Sequence, residues 1–162
     1  MEITLKPMTR EMYHRYLKEY ENSPELYLDP SKCVPYVYDP ETVDRYVQRQ
    51  IDLGRIPLAI MLGDEIVGEI VLKNIEDHKC ATMGLCLKGD AYKDRGIGTQ
   101  AERLAVRYVF YELDIPTLYA DSILPNTRSQ HVLEKVGFRR IGEDGTFRYY
   151  RIDRPEGSTH DD

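Results

Sequence analysis

Tryptophan is missing from this 162-residue chain, cysteine is scarce, and acidic residues outnumber basic ones. The three cysteines form no CxxC pair and cannot all pair with one another, so we expect reduced thiols rather than a disulfide framework. A net charge of −6 argues against non-specific nucleic-acid binding and favours a cationic partner. No hydrophobic run approaches the length of a membrane span. With no signal peptide, these features predict a cytoplasmic protein that binds neither membrane nor nucleic acid.

The length and composition are those of one globular domain with a core of its own. Charged residues make up 31% of the chain, an ordinary share for such a protein. We predict a single domain over residues 1–153 and a polar, disordered tail over 154–162. The sequence predicts no metal site, and it is compatible with a monomer or a homodimer.

The predicted elements follow the order β-α-α-β-β-β-α-β-α-β-β. Thr9 and Asp39 are placed as caps of the first two helices, which we expect to run from about Arg10 to Glu21 and from Pro40 to near Gly54. Between them lies a loop rich in tyrosine and proline, a candidate wall for an acceptor pocket. Three strands then form a meander that feeds a strand–helix–strand crossover. The order predicts an α/β (α+β) fold with a mixed, mostly antiparallel sheet of about seven strands flanked by about four helices.

Residues 81–113 read as strand, glycine loop and long helix. Gly96 and Gly98 stand at the helix start, where the absence of Cβ atoms lets backbone N–H groups approach a ligand closely. The positive end of the helix dipole lies at the same place, so the pattern is typical of a phosphate site. A plain tight turn is the alternative. No GK[ST] follows, and Glu102 occupies the third glycine position of a dinucleotide fingerprint, which excludes both of those loops.

Two motifs give this sequence its resemblance to the GNAT superfamily of acetyl-CoA-dependent N-acetyltransferases. The family loop Gln/Arg-x-x-Gly-x-Gly/Ala is matched at residues 93–98, with Lys93 in place of Gln or Arg. The family pattern Asn-x-x-Ser/Ala, then Glu-Lys-x-Gly-Phe, is matched by Asn126, Ser129 and residues 134–138. The stretch NTRSQHVLEKVGF is most similar to the branch that acetylates the N-termini of ribosomal proteins. In element order the resemblance covers nearly the whole chain.

The resemblance implies acetyl-CoA as the cosubstrate and assigns part of that molecule to each motif. Loop N–H groups would bind the diphosphate, and the preceding strand would pair with the pantetheine arm where the family splays two strands apart. Asn126 would contact the pantetheine, and Ser129 would lie near the thioester sulfur. The cofactor-binding residues predicted in this way are Leu85, Cys86, Leu87, Lys93, Asp94, Arg95, Gly96, Ile97, Gly98, Thr99, Asn126 and Ser129.

Several of these residues also have structural interpretations. Asn126 is a good helix N-cap wherever it occurs, and Ser129 can be an ordinary helix-surface serine. Lys93 and Arg95 can be solvated loop charges. The tyrosine face of the first helix is interpreted as packing.

The catalytic prediction rests on Glu69 and Ser129. Glu69 is a candidate base on the central meander, with a solvent-facing position as the alternative. Many relatives carry an acid tyrosine where this chain has Leu133, so Ser129 or water is left to protonate the thiolate. An α-amine needs less help from a base than a lysine-like amine, of which only about 0.1% is neutral near pH 7.5.

We therefore expect direct attack of a primary amine on acetyl-CoA. The acceptor would be a protein N-terminal α-amine or a small-molecule amine. The alternative function is a non-catalytic acyl-CoA-binding sensor or scaffold.

Overall fold

A single mixed sheet forms the centre of the computed structural model, which describes residues 2–158. Seven strands and four α-helices follow the predicted order. Their bounds are β1 Ile3–Pro7, α1 Arg10–Lys18, α2 Pro40–Asp52, β2 Ile56–Leu62, β3 Glu65–Glu76, β4 Cys80–Leu87, α3 Ile97–Arg107, β5 Thr117–Ile123, α4 Thr127–Val136, β6 Arg139–Glu143 and β7 Phe147–Asp153.

The strand order is β1-β2-β3-β4-β5-β7-β6, and β4 with β5 is the parallel pair. This confirms the predicted α/β class with its mostly antiparallel sheet. Helices α3 and α4 pack on one face over the larger core cluster, which includes Ile70 and Leu118. Helices α1 and α2 pack on the other face over a smaller cluster that contains Tyr13 and Val47. The crossover from β4 through α3 to β5 therefore lies in the middle of the molecule.

Local capping explains where the first two helices begin. Thr9 Oγ1 accepts a hydrogen bond from the Met12 N–H at 3.2 Å, and Asp39 Oδ2 accepts one from the Thr42 N–H at 3.2 Å. Both predicted starts are confirmed. The end of α1 differs from the prediction, which extended that helix to Glu21. The Glu21 N–H instead donates to Lys88 O at 2.8 Å, which draws the chain away to the end of β4.

The helix after the glycine loop was expected to run to Leu113 without a change of geometry. It changes from α to π at Tyr108 and stays π-helical through Glu112. The Leu113 N–H accordingly donates to Tyr108 O at 3.0 Å, five residues back. Local periodicity does not reveal this wider turn because it covers only five residues, about one turn of helix.

The predicted disordered tail falls partly on residues 159–162, which lie outside the described residues. Closer to the domain, Arg154 Nη1 donates to Phe110 O at 2.7 Å, and Tyr111 Oη donates to Ser158 Oγ at 2.9 Å. Within residues 2–158, no helix has the length and apolar character needed to cross a membrane.

Candidate active site

A cleft of about 360 Å³ lies between the last residues of β4 and the first turns of α3 and α4. It brings together most of the residues predicted from the sequence, across more than 40 positions of the chain. Those that line it are Leu85, Cys86, Leu87, Lys93, Asp94, Gly96, Ile97, Gly98, Thr99, Asn126 and Ser129. Arg95 is instead exposed, and its guanidinium carbon lies 5.9 Å from the ring centroid of Tyr92.

One wall of the cleft is a strand edge that no longer has its neighbour. The pairing of β4 with β5 ends at Met83 and Ala120, although β4 continues to Leu87. Beyond that point the two parallel strands separate, as the resemblance predicted. The β4 backbone at residues 85–87 therefore borders the cleft rather than another strand, which suits an extended ligand arm with amide groups.

The start of α3 forms the second wall. Its first intrahelical hydrogen bond runs from the Gln100 N–H to Gly96 O at 3.1 Å. The N–H groups of Ile97, Gly98 and Thr99 come before that bond and have no acceptor within the helix. Gly96 adopts a left-handed φ of +79°, the kind of backbone that favours glycine. These features together suit the binding of an anion at the positive end of the helix.

Acidic side chains form ion pairs with Lys93 of the loop and with Arg128 of α4. Lys93 Nζ lies 2.8 Å from Asp90 Oδ1 and 2.9 Å from Ser23 Oγ, and it also forms an ion pair with Glu25. Arg128 of α4 bridges Glu25, at 3.3 Å, and Asp94. An anion at this helix start would therefore be held by backbone N–H groups more than by the charge of Lys93.

Asn126 and Ser129 meet at the start of α4. Asn126 Oδ1 accepts a hydrogen bond from the Ser129 N–H at 3.1 Å, which is an N-cap. Both residues also line the cleft. The structural interpretation of Asn126 as a cap is thus correct, and the cap leaves its side-chain amide group as a possible donor to a ligand.

Substitutions at Asn126 separate its two roles. We expect Asn126→Ala to lower the free energy of unfolding by about 1 kcal/mol through loss of the cap. It should also weaken acetyl-CoA binding by roughly threefold to tenfold through loss of a hydrogen bond. Asn126→Ser is the matched control, because serine keeps the cap but lacks the amide donor. A normal melting temperature with normal acetyl-CoA affinity in the serine variant would show that Asn126 is only a cap.

Glu69 lies on β3, on the face of the sheet that α1 and α2 cover. Tyr13 Oη donates to its Oε2 at 2.6 Å, and Tyr46 Oη lies 3.2 Å from its Oε1. Burial raises the pKa of the Glu69 carboxyl, while the two tyrosine hydrogen bonds oppose that rise. The solvent-facing alternative for Glu69 is therefore wrong.

Cys86 connects this carboxyl to the cleft. It lines the cleft and is the register partner of Glu69 across β3 and β4, a position that brings Cβ atoms to within about 5.5 Å. Tyr20 Oη lies 3.5 Å from Cys86 Sγ, and Tyr16 Oη donates to Cys86 O at 3.3 Å. Burial raises the pKa of the Cys86 thiol, so it stays neutral. The carboxyl of Glu69 thus stands one strand away from the cleft.

Sequence reasoning missed the polar contacts that the tyrosine face makes. Tyr13 and Tyr16 are buried, which fits the predicted packing, but their hydroxyls point at polar groups of the central strands. A buried tyrosine hydroxyl needs a partner, and this requirement was the available signal. Leu133, where many relatives have an acid tyrosine, is only 2% exposed and belongs to the core.

The family model described as acetyltransferase (GNAT) domain matches residues 2–139. A probable N-acetyltransferase, YjcK of Bacillus subtilis (strain 168), is 42% identical over 52 residues. That match spans 32% of this chain and only 29% of YjcK.

Solved structures share the fold over nearly the whole chain. AAC(6')-Ib in complex with ribostamycin and coenzyme A superposes with a TM-score of 0.78 at 19% identity, covering 95% of this chain and 94% of that one. Spermidine N-acetyltransferase from Vibrio cholerae, in complex with CoA and spermine, gives 0.74 at 15% identity and covers 93% and 95%. The family match and the separated strands beside a glycine loop agree with the motifs read from the sequence, and the chain belongs to the GNAT acetyltransferase family.

Proposed function

We propose that this protein is an N-acetyltransferase that moves an acetyl group from acetyl-CoA to a primary amine by direct attack. The observation that carries the proposal is the position of Glu69. Its carboxyl is held by hydrogen bonds from Tyr13 and Tyr46. Glu69 is paired across β3 and β4 with Cys86, which lines the cleft beside the open edge of β4. A proton acceptor therefore stands beside the place where a thioester would lie.

The residues of the cleft fit acetyl-CoA. The unpaired N–H groups at the start of α3 suit the diphosphate, and the β4 edge at residues 85–87 suits the amide groups of the pantetheine arm. Asn126 and Ser129 border the same path. When bound, acetyl-CoA supplies an acyl group activated as a thioester. The protein would then position that group beside Cys86 and Glu69.

Glu69 would take the proton that the amine loses. An amine attacks only when neutral, and a cationic amine near a carboxylate can pass a proton to it directly or through water. A raised pKa makes Glu69 a better proton acceptor than an exposed carboxylate, provided that it is ionised at the working pH. The hydrogen bonds from Tyr13 and Tyr46 favour that ionised form.

The thiolate leaving group places a smaller demand on the protein. A thiol with a pKa near 8.5 leaves fairly well, so an acid catalyst contributes modestly. With Leu133 buried in the core, Ser129 or a water molecule would supply the proton.

A small cationic amine is the acceptor that the site favours. An ionised Glu69 carboxylate, bordered by the hydroxyls of Tyr13 and Tyr46, would attract a cationic amine. The net charge of −6 acts in the same direction. Ribostamycin and spermine, the molecules present in the two neighbouring structures, are both amines.

A protein N-terminal α-amine, as in the ribosomal-protein branch, is the second acceptor class. Exposed apolar side chains of the loop between α1 and α2 would suit the residues that follow such an amine. Val37 is 81% exposed and Val34 is 61% exposed.

An acceptor panel tests the proposed function. Acetyl-CoA would be offered with polyamines, aminoglycosides, amino acids and peptides with free N-termini, while release of the CoA thiol is followed. We expect turnover with at least one small amine that carries several charges. Turnover confined to peptides would move the acceptor to the α-amine class.

The tyrosine hydrogen bonds make a separate prediction about pH. Tyr13→Phe removes a hydrogen bond that lowers the pKa of Glu69, so that pKa should rise further. A base with a higher pKa is protonated at a higher pH. We therefore expect turnover to fall at acidic pH and stay near normal at alkaline pH, with the acidic limb of the pH–rate profile displaced upward.

Tyr150→Phe is the matched control for that displacement. Tyr150 is also fully buried, but it lies on β7, which is separated from β3 by β4 and β5. An unmoved acidic limb in Tyr13→Phe, or an equal shift in both variants, would contradict a role for Tyr13 in setting the ionisation of Glu69.

The non-catalytic acyl-CoA-binding module is kept as a second candidate because of Leu133. A core leucine stands where many relatives place an acid tyrosine. Tight acetyl-CoA binding without turnover on any member of the acceptor panel would support the module over the enzyme.

A further inference from the structure

Glu102 of α3 is a buried carboxyl that the fold leaves without a hydrogen bond. The residue is 3% exposed, and its Oε2 has no hydrogen-bond partner among residues 2–158. Burying an unsatisfied polar atom costs stability, and an apolar side chain would suit the same helix position better. Glu102 also lines the cleft described above, so a carboxyl with an unmade hydrogen bond borders the space that a ligand would occupy.

The position of Glu102 within the cleft follows from the packing of α3 on α4. Gly98 and Glu102 are four residues apart and share one face of α3. A Cβ atom at Gly98 would lie 3.9 Å from Val132 Cγ1, so this face is turned towards α4. Arg103 Nη2 donates to Lys135 O at 3.4 Å in the same interface. Glu102 therefore lies one turn beyond the helix start, on the side lined by Val132 and Lys135.

The proposed path of coenzyme A across the cleft indicates which part of coenzyme A would lie beside Glu102. The thioester end belongs near Cys86, beside Glu69, and the diphosphate belongs at the N–H groups of residues 97–99. The adenosine end must then continue past the helix start, towards Val132 and Lys135. Glu102 lines the cleft one turn along α3 from the N–H groups that would bind the diphosphate.

We propose that Glu102 binds the nucleotide end of coenzyme A, and that its Oε2 makes with that end the hydrogen bond which the folded protein leaves unmade. This inference rests on the proposed placement of acetyl-CoA in the cleft. A neutral carboxyl has both a donor and an acceptor, so it can bond to a phosphate oxygen without charge repulsion. An ionised one would repel the same phosphate.

The surroundings of Glu102 favour the neutral form. Burial raises the pKa of its carboxyl to about 8. The residues of β1, β3 and β4 that share the core with α3 are apolar, among them Ile3, Ile70 and Met83. The charged and titratable groups that share the cleft come from β4, α4 and the loops: Cys86, His131, Lys135, Arg128, Lys93, Asp94, Glu25 and Tyr92. Of these, Arg128 and Lys93 are held in ion pairs with Asp94 and Glu25.

Binding measurements with two probes test the proposal. Calorimetry would give the affinity of coenzyme A and of adenosine 3′,5′-bisphosphate, which carries the nucleotide end alone, at pH 7 and pH 9. We expect Glu102→Leu to weaken both probes by about tenfold at pH 7, which is the loss of one good hydrogen bond. Glu102→Gln keeps a neutral hydrogen-bonding group and should stay within about threefold of the original protein.

The pH dependence separates Glu102 from its neighbours. In the original protein, affinity for both probes should fall by about fivefold to tenfold between pH 7 and pH 9, as the carboxyl ionises. Glu102→Gln should lose that fall. Glu134→Gln, which changes an exposed carboxyl of α4, is the control and should keep it.

Thermal unfolding without ligand gives an independent readout. The pKa of Glu102 is raised on folding, so ionisation opposes the folded state. The penalty begins above the ordinary glutamate pKa and is complete above pH 8. Glu102→Gln should therefore raise the melting temperature by about 4 °C or more at pH 9 and by less at pH 5.

Three outcomes would overturn the proposal. The first is unchanged affinity of both Glu102 variants for both probes. The second is weakened binding of coenzyme A with unchanged binding of the bisphosphate, which would place Glu102 at the pantetheine arm. The third is a fall of affinity with pH that Glu102→Gln retains. The cleft assignment is tested separately: if Gly98→Val leaves coenzyme A affinity unchanged, the placement of the cosubstrate itself is wrong.

Discussion

We expect Glu69→Gln to lower kcat by roughly 10²–10⁴, the contribution of a positioned general base. Glutamine keeps the shape of the side chain, and an amide oxygen at the Oε2 position can still accept from Tyr13 and Tyr46, but the amide cannot take a proton at neutral pH. The loss should be larger for a lysine-like amine than for an α-amine, because more of the lysine-like amine must be deprotonated. Steady-state kinetics with both acceptors would measure the difference.

The pH–rate profile distinguishes loss of a base from general damage. Glu69→Gln should lose or displace the acidic limb, while acetyl-CoA affinity measured by calorimetry stays the same. Glu76→Gln, an exposed carboxyl on the same strand, is the matched control and should leave both quantities unchanged. Near-normal turnover of Glu69→Gln on both acceptors would instead point to a water chain with no dedicated base.

The second large effect is expected at the glycine loop. Gly98→Val should weaken acetyl-CoA binding at least about tenfold with the fold intact. A Cβ at Gly98 finds an ordinary contact at 3.9 Å, and its φ is not left-handed, so neither the backbone nor the first side-chain carbon is strained in the free protein. The added methyl groups would instead occupy the space through which a diphosphate approaches the N–H groups of α3.

Two other glycines serve as controls for Gly98→Val. Gly142→Val places the same side chain on β6, where nothing lies within 4 Å of the new Cβ, and affinity should not change. Gly96→Val should lose stability as well as affinity, since Gly96 has a φ of +79°. If calorimetry finds full acetyl-CoA affinity in Gly98→Val, the cleft is not the acetyl-CoA site.

The fold could be predicted from the sequence because its signals are local. Caps at Thr9 and Asp39 fixed the first two helix starts, and glycines with a following apolar period marked the crossover helix. The loop and Asn126 motifs predicted which segments would meet, and the cleft brings them together.

The parts of the site that could not be predicted depend on contacts between distant residues. The ion pair of Lys93 with Glu25 joins residues far apart in the chain, and no local pattern reveals it. Alternation along β3 left two faces open for Glu69, and only packing by α1 and α2 decides between them. For the same reason, the sequence shows that Glu102 occupies the third glycine position of a dinucleotide fingerprint, but it does not show that the carboxyl is buried.

Acetyl transfer itself is the most direct test of the central claim. Purified protein would be incubated with acetyl-CoA and a polyamine, and mass spectrometry would follow the amine while the free CoA thiol is titrated. We expect the amine to gain one acetyl group for each thiol released, and Glu69→Gln to reduce both rates together. Thiol release without an acetylated amine, or tight acetyl-CoA binding with neither product across the full acceptor panel, would contradict it.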